Sequence, residues 1–250
     1  MDCDHPHRTT GNEFPAHAGR IFAADAARRT CGLTAVTSSF AADVEAVALP
    51  LPGASLRYRP DWLPEAEADA LFAAATTIAW ERHRLRLFGR EIDAPRLSCW
   101  IGDPGAAYTY SRVRFEPRPW LPALAALRAR LETTCGARFN SVLANLYRDG
   151  RDSMGRHSDD EPELGPEPLI ASISLGGVRR FRLRARDGGA GLSLELAHGS
   201  LLLMAGATQR LYRHDLPKTR APVMPRINLT FRHVLAGCDA VATEGGSDVN

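Results

Sequence analysis

The chain has 250 residues, 44% hydrophobic and 24% charged, with 31 basic against 29 acidic side chains. That length supports one sizeable core and is short for two, and no apolar run approaches the roughly 20 residues of a membrane span. The net charge of +2 neither requires nor excludes a polyanionic partner, and the five scattered cysteines, with no CxxC pair, suggest neither a disulfide framework nor a zinc ribbon.

In chain order, the opening "MDCDHPHRTT" lacks the basic and apolar regions of a signal peptide, so a cytoplasmic protein of bacterial type is expected. Residues 1–50 show no sustained periodicity and read as a poorly ordered extension, Cys3, His5 and His7 included. From Leu51 the pattern tightens. Pro64 with Glu65 and Glu67 opens a helix that carries Leu71, Ala75 and Ile78 on one stripe. A second helix starts near Pro119 and Pro122, aligns Leu121, Leu124, Leu127 and Leu131, and stops at Gly136.

After Phe139 the helical period disappears. Short segments follow at intervals of about ten residues: "FNSVLANLYR", "LIASISL", "VRRFRLRA", "LSLELA", "SLLLMA", "RLYRHDL" and "RINLTFRHV". That spacing predicts a β-sandwich or barrel. The expected fold class is α+β, mainly β: a jelly roll (double-stranded β-helix) buttressed by N-terminal helices. It would form one domain over 51–236, followed by a flexible tail, 237–250.

Period two sorts the strand residues by face. Arg180, Arg182, Arg184 and Arg186 share a face that reads as solvated, opposite Phe181 and Leu183. In "RINLTFRHV", Ile227, Leu229 and Phe231 lie on one side, and Arg226, Asn228, Thr230 and Arg232 on the other. In a small jelly roll the polar row can line a lumen. Two arginines beside Asn and Thr suit a carboxylate, which guanidinium binds bidentately.

Residues 155–161, "GRHSDDE", place His157 and Asp159 at i, i+2, on one side of a strand. A lone HxD carries little information, and a distal histidine has to complete a set with it. His198 looks like a turn residue, and His233 has the parity opposite to Arg226 and Arg232. His214 lies between two strand segments shortly before the polar row. Two histidines and one carboxylate with open positions form the facial triad of non-haem Fe(II) oxygenases. The usual co-substrate, 2-oxoglutarate, needs an arginine at its distal end, and Arg226 is placed for that. Asn145 and Tyr147 share a face and suit a polar ligand.

The run "NLYRDGRDSMGRHSDDEPELG", then "IASISLG", "HGSLLLM" and "RINLTFR", resembles the AlkB family of Fe(II)/2-oxoglutarate dioxygenases, within it the clade that repairs alkylated DNA. With "LFGREIDAPRLSCWIGD" and "YTYS" upstream, the resemblance covers about 55–235. It implies that His157, Asp159 and His214 bind iron. Asn145 and Tyr147 would hydrogen-bond 2-oxoglutarate, Arg226 would pair with its distal carboxylate, and Asn228 and Arg232 would complete the signature strand. Glu161 matches the acid near the target base, Tyr108 and Arg96 match substrate-side positions, and Phe88 falls where duplex-acting relatives carry an aromatic wedge. One departure is Arg156, where bacterial relatives often have an aromatic residue.

The implied reaction uses Fe(II), 2-oxoglutarate and O2 to demethylate 1-methyladenine- or 3-methylcytosine-type bases in DNA, releasing formaldehyde, succinate and CO2. The base would be flipped out of its stack. A monomer is expected, with DNA as partner and RNA left open. Eight arginines in 82–118 against four acids, with Phe88 and Trp100 interleaved, fit phosphate contacts plus stacking. The one-sided use of arginine, with Lys218 the single lysine, is also what a GC-rich coding sequence produces. The rivals are a relative acting on RNA, protein or lipid, a non-catalytic nucleic-acid binder, and a zinc hydrolase using the same His-Asp-His set.

Overall fold

The computed structural model describes residues 21–23, 46–87, 90–110 and 113–235. Most of the 1–50 extension, Phe88 and the tail after 235 lie outside the described residues. The elements run in the following order. β1 (Ile21–Ala23), β2 (Val47–Ala48) and β3 (Ser55–Arg59) lead into α1 (Glu65–Thr76). The β4 (Arg84–Leu87) and β5 (Arg90–Asp93) pair precedes β6 (Leu97–Gly102), the β7 (Tyr108–Tyr110) and β8 (Val113–Phe115) pair, and α2 (Pro122–Cys135). Then come β9 (Ser141–Tyr147), β10 (Met154–His157), β11 (Ile170–Gly176), β12 (Arg179–Ala185), β13 (Gly191–Leu196) and β14 (Ser200–Ala205). The short α3 (Thr208–Leu211), β15 (Tyr212–Leu216) and β16 (Arg226–Arg232) finish the domain.

Two antiparallel sheets form the jelly roll. The major sheet has the order β2-β3-β14-β11-β16-β9-β6, and the minor sheet β1-β13-β12-β15-β10. Consecutive strands repeatedly lie in opposite sheets, as the crossing connections of a jelly roll require. The helices cover the outer face of the major sheet. α1 presents Ala68, Leu71 and Ala75, and α2 presents Leu124, Leu127, Leu131 and Cys135. Both groups pack with Ile173, Leu175, Ile227, Leu229 and Phe231 in one cluster. Pro122 opens α2 where its missing N–H costs nothing, and Gly136 closes it in the left-handed region at φ 63°. Phe231 is fully buried, stacked on Trp120 at 6.2 Å and edge-on to Phe139 at 6.2 Å.

β16 has the alternation read from its sequence, but neither of its sides is the outer surface of the protein. Ile227, Leu229 and Phe231 face the helices, while the opposite row faces the space between the sheets. That space is filled unevenly. A second apolar cluster, including Leu56, Tyr58, Phe181, Leu194, Leu202 and Met204, occupies one part. The part bounded by β9, β16, β10 and β15 is left polar and open. The outer row of β12 behaves as expected: Arg180, Arg184 and Arg186 are exposed or nearly so, while Phe181 and Leu183 are buried.

Candidate active site

His157 and His214 are direct cross-strand partners on β10 and β15. This pairing brings their rings to 4.2 Å between centroids. Asp159 lies two residues beyond the end of β10, where the chain has left the sheet. One ligating atom from each of His157, Asp159 and His214 lies within 4.8 Å of the others. His157 Nδ1 sits 2.9 Å from the Gly155 carbonyl, so an N–H there donates and leaves Nε2 to face Asp159. Burial pushes both imidazoles toward the neutral, ligating form, and His214 falls to about 3, with His157 beside it as the second cause. Burial alone would raise the Asp159 carboxyl, but Arg232, His214 and His157 hold it well below the usual carboxylate range. The Arg232 guanidinium is 2.9 Å from it, with both groups buried. The other two candidate histidines are elsewhere: His198 accepts the Gly176 N–H at a turn and faces Asp69, and His233 is exposed.

The triad opens into a cavity lined by the polar row of β16 and by Asn145, Tyr147, Ser172 and Met154. Arg226 lies at its floor, 1% exposed. Only its Nη2 has a hydrogen-bond partner, Ser174 Oγ at 2.9 Å, whereas Nε and Nη1 have none. Burial lowers its pKa to about 10, an unusual environment for an arginine. Tyr147, its register partner on β9, places its ring 5.3 Å from the guanidinium. Asn145 pairs in register with Asn228 on one side and Ser98 on the other. Its carbonyl oxygen accepts hydrogen bonds from Arg96 Nε at 3.0 Å and Ser98 Oγ at 3.1 Å. Its amide is thereby turned to donate. Asn228 donates to Ser172 Oγ and the Ile173 carbonyl.

Comparison with known proteins follows the same lines. Residues 55–232 match the family described as the 2OG-Fe(II) oxygenase superfamily. The alpha-ketoglutarate-dependent dioxygenase alkB homolog 3 of Mus musculus is 46% identical over 150 residues, 56% of this chain and 52% of that protein. The DNA oxidative demethylase ALKBH2 of Homo sapiens is 41% identical over 160 residues, 61% of each chain. Its Mus musculus counterpart is 41% identical, with 61% of this chain aligned to 67% of that protein. The chain belongs to the AlkB family of 2-oxoglutarate and Fe(II) oxygenases. It spans about half the length of the mouse alkB homolog 3 it matches.

AlkB membership brings Fe(II) and 2-oxoglutarate as cofactors, and the residues present fit both. Two neutral imidazoles and an ionised carboxylate are a donor set for a divalent metal with open positions. The unpartnered guanidinium edge of Arg226 fits a carboxylate, because a buried cation without an anion is otherwise costly. The polar row read from the sequence therefore does converge on one cavity.

The residues expected on the substrate side are more dispersed. Glu161 is partly buried just past Asp159, at the start of a short 3-10 turn over Pro162–Leu164. Asp160 is exposed, points away, and pairs with Arg186. Tyr108 begins the β7 and β8 pair. Arg96 is 5% exposed and committed to Asn145, so it supports the Asn145 side of the cavity from beneath. Trp100 corrects an expectation: it is buried, and its indole N–H donates to the Ala106 carbonyl at 2.8 Å, so it is not a stacking platform. The arginines of 82–118 are also less available than counted. Arg82 pairs with Asp93, Arg84 with Glu91 and Arg118 with Glu81. Sequence alone does not place Glu91 and Asp93 opposite these arginines, because the register of β4 and β5 decides it. Arg156 lies 3.8 Å from Asp215, whose carboxylate is also gripped by Arg182 at 2.7 and 2.8 Å.

Proposed function

We propose that this chain demethylates N-alkylated bases of the 1-methyladenine and 3-methylcytosine type in DNA, using Fe(II), 2-oxoglutarate and O2. The observation that carries the reading is the pairing, in one cavity, of the His157–Asp159–His214 triad with a buried, half-unpartnered Arg226. The names of the relatives, DNA oxidative demethylases among them, supply the substrate class. The bound cofactors supply the oxidising chemistry, which converts 2-oxoglutarate to succinate and CO2 and removes the methyl carbon as formaldehyde.

The chain's own residues hold and orient. His157, Asp159 and His214 hold the metal, and Arg232 keeps the Asp159 carboxylate ionised and aimed. Arg226 anchors the distal carboxylate of 2-oxoglutarate, and Tyr147, Asn145 and Asn228 border its path to the metal. Arg226 has no carboxylate partner in the cavity, so an anionic ligand is favoured over a neutral one at that end. Glu161 faces the target base, where a carboxylate favours a cationic lesion, and Tyr108 and Phe88 act on the nucleic-acid side. Arg96 acts through Asn145. A monomer in the cytoplasm and a domain over 51–236 belong to the same proposal. Among the described residues no helix is long and apolar enough to cross a membrane.

The test is turnover of methylated oligonucleotides by the Fe(II)-loaded chain with 2-oxoglutarate. Succinate formation coupled to loss of the methyl mark supports the reading. Hydrolysis without succinate would move it to the zinc-hydrolase alternative.

A further inference from the structure

The three members of the triad are not held in the same way. His157 and His214 sit on paired strands, where the β10 and β15 register fixes their backbones. Asp159 does not: residues 158–161 follow the end of β10 and belong to no strand. A metal ligand on an irregular segment needs another means of holding its position, because small displacements of a ligating oxygen change the metal affinity.

The segment is held by side chains on consecutive residues. The Asp159 N–H donates to Gln209 Oε1 at 3.0 Å. Ser158 Oγ donates to the Tyr212 carbonyl at 2.9 Å. The same Ser158 Oγ accepts from Arg186 Nη2 at 2.8 Å, which also contacts the Asp160 carboxylate and the Gln209 carbonyl at 3.3 Å. The Arg186 backbone N–H donates to the Leu211 carbonyl at 2.9 Å, so its own root is fixed to the α3 segment. One guanidinium nitrogen thus joins the residues on either side of Asp159 to the element that carries Gln209. Arg186 lines no part of the cavity, and its side chain is 33% exposed.

We infer that Arg186, with Asp160 as its partner and Gln209 beside it, is a positioning residue for the metal-binding carboxylate of Asp159. This inference rests on the proposed metal site and deepens it. It also gives the neighbouring acids separate tasks: Asp159 binds the metal, and Asp160 secures the loop. The outer arginine row of β12 extends to Arg186, so a residue that reads as solvated decoration becomes a clamp where the strand ends.

The experiment measures Mn(II) affinity of the 250-residue chain by electron paramagnetic resonance of the free ion, and the melting temperature of the metal-free protein in parallel. Wild type, Arg186→Ala, Arg186→Lys, Asp160→Ala and His157→Ala are compared. Arg186→Ala is expected to bind Mn(II) about 10-fold more weakly, with a metal-free melting temperature close to wild type. Arg186→Lys should recover part of the affinity, because an ammonium carries three donors and the acceptors gather at one nitrogen. Arg186→Ala affinity equal to wild type would overturn the inference while leaving the metal site standing. If Arg186→Ala also unfolds the protein, Asp160→Ala decides: weakened binding supports the clamp, and unchanged binding overturns it. Wild type that binds Mn(II) no better than His157→Ala would remove the metal site itself and the inference with it.

Discussion

Replacing Arg226 with methionine tests whether this residue exists for a ligand or for the fold. Methionine is of similar length and tolerates irregular surroundings. In the ligand-free protein the Arg226 cation is a burden: burial brings its pKa down to about 10. That depression corresponds to a penalty of about 3 kcal/mol on the cation at neutral pH. Against it stand one hydrogen bond to Ser174, about 1 kcal/mol, and the Tyr147 ring at 5.3 Å, also about 1 kcal/mol. Arg226→Met should therefore leave the metal-free, ligand-free protein as stable as wild type, or about 1 kcal/mol more stable. Co-substrate binding should behave oppositely. Removing the buried partner of the distal carboxylate costs about 3 kcal/mol, on the order of 100-fold in affinity. Urea denaturation measures the first quantity, and thermal shift with Mn(II) and 2-oxoglutarate the second. Saturation at about 100 times Kd should stabilise wild type by about 2.7 kcal/mol and the variant hardly at all. A variant that loses 3 kcal/mol or more without ligand, yet keeps its 2-oxoglutarate shift, would refute the reasoning.

Three further outcomes follow from the same structure. The Asp152 carboxylate is raised by burial but held below its ordinary pKa by hydrogen bonds from the Arg148 side chain and backbone. Its contribution is present above the ordinary carboxylate pKa and is lost as pH falls through the folded value. Asp152→Asn should accordingly lower stability at pH 7 by about 1–2 kcal/mol, with the gap from wild type closing in acid, as read from urea midpoints across pH. Phe231→Ala empties the contact between Trp120 and Phe139 and should cost about 3–5 kcal/mol by the same assay; a loss below 1 kcal/mol would mean that the core is not packed as described. Arg156→Ala removes a half-exposed ion pair at 3.8 Å and should change stability by less than about 1 kcal/mol, with Mn(II) affinity unchanged by titration.

Most of the proposed metal site was legible because it lies on regular strands. Parity on β16 separated Ile227, Leu229 and Phe231 from Arg226, Asn228, Thr230 and Arg232, and both rows went where their chemistry directs them. The helices α1 and α2 were readable from their proline starts, and α2 also from its glycine stop. The contacts that do not show in the sequence cross long separations to the irregular segment 158–161. Gln209 reaches Asp159 over 50 residues, and Arg186 reaches Asp160 over 26. Periodicity is silent on both contacts, because residues 158–161, where they land, belong to no strand and have no period. Trp100 was misread for a related reason: an aromatic among arginines looks like a stacking platform until register shows it pointing into a core with Leu164 and Val234.

The central claim is that the His157–Asp159–His214 triad and Arg226 act together on alkylated DNA. The most direct measurement is demethylation of oligonucleotides carrying 1-methyladenine or 3-methylcytosine by the Fe(II)-loaded chain, with 2-oxoglutarate and oxygen, beside Asp159→Ala. The account predicts loss of the methyl mark with matching succinate in wild type, and retention of the mark in the variant. Wild type that holds iron yet demethylates no methylated DNA, or Asp159→Ala that still does, would contradict it.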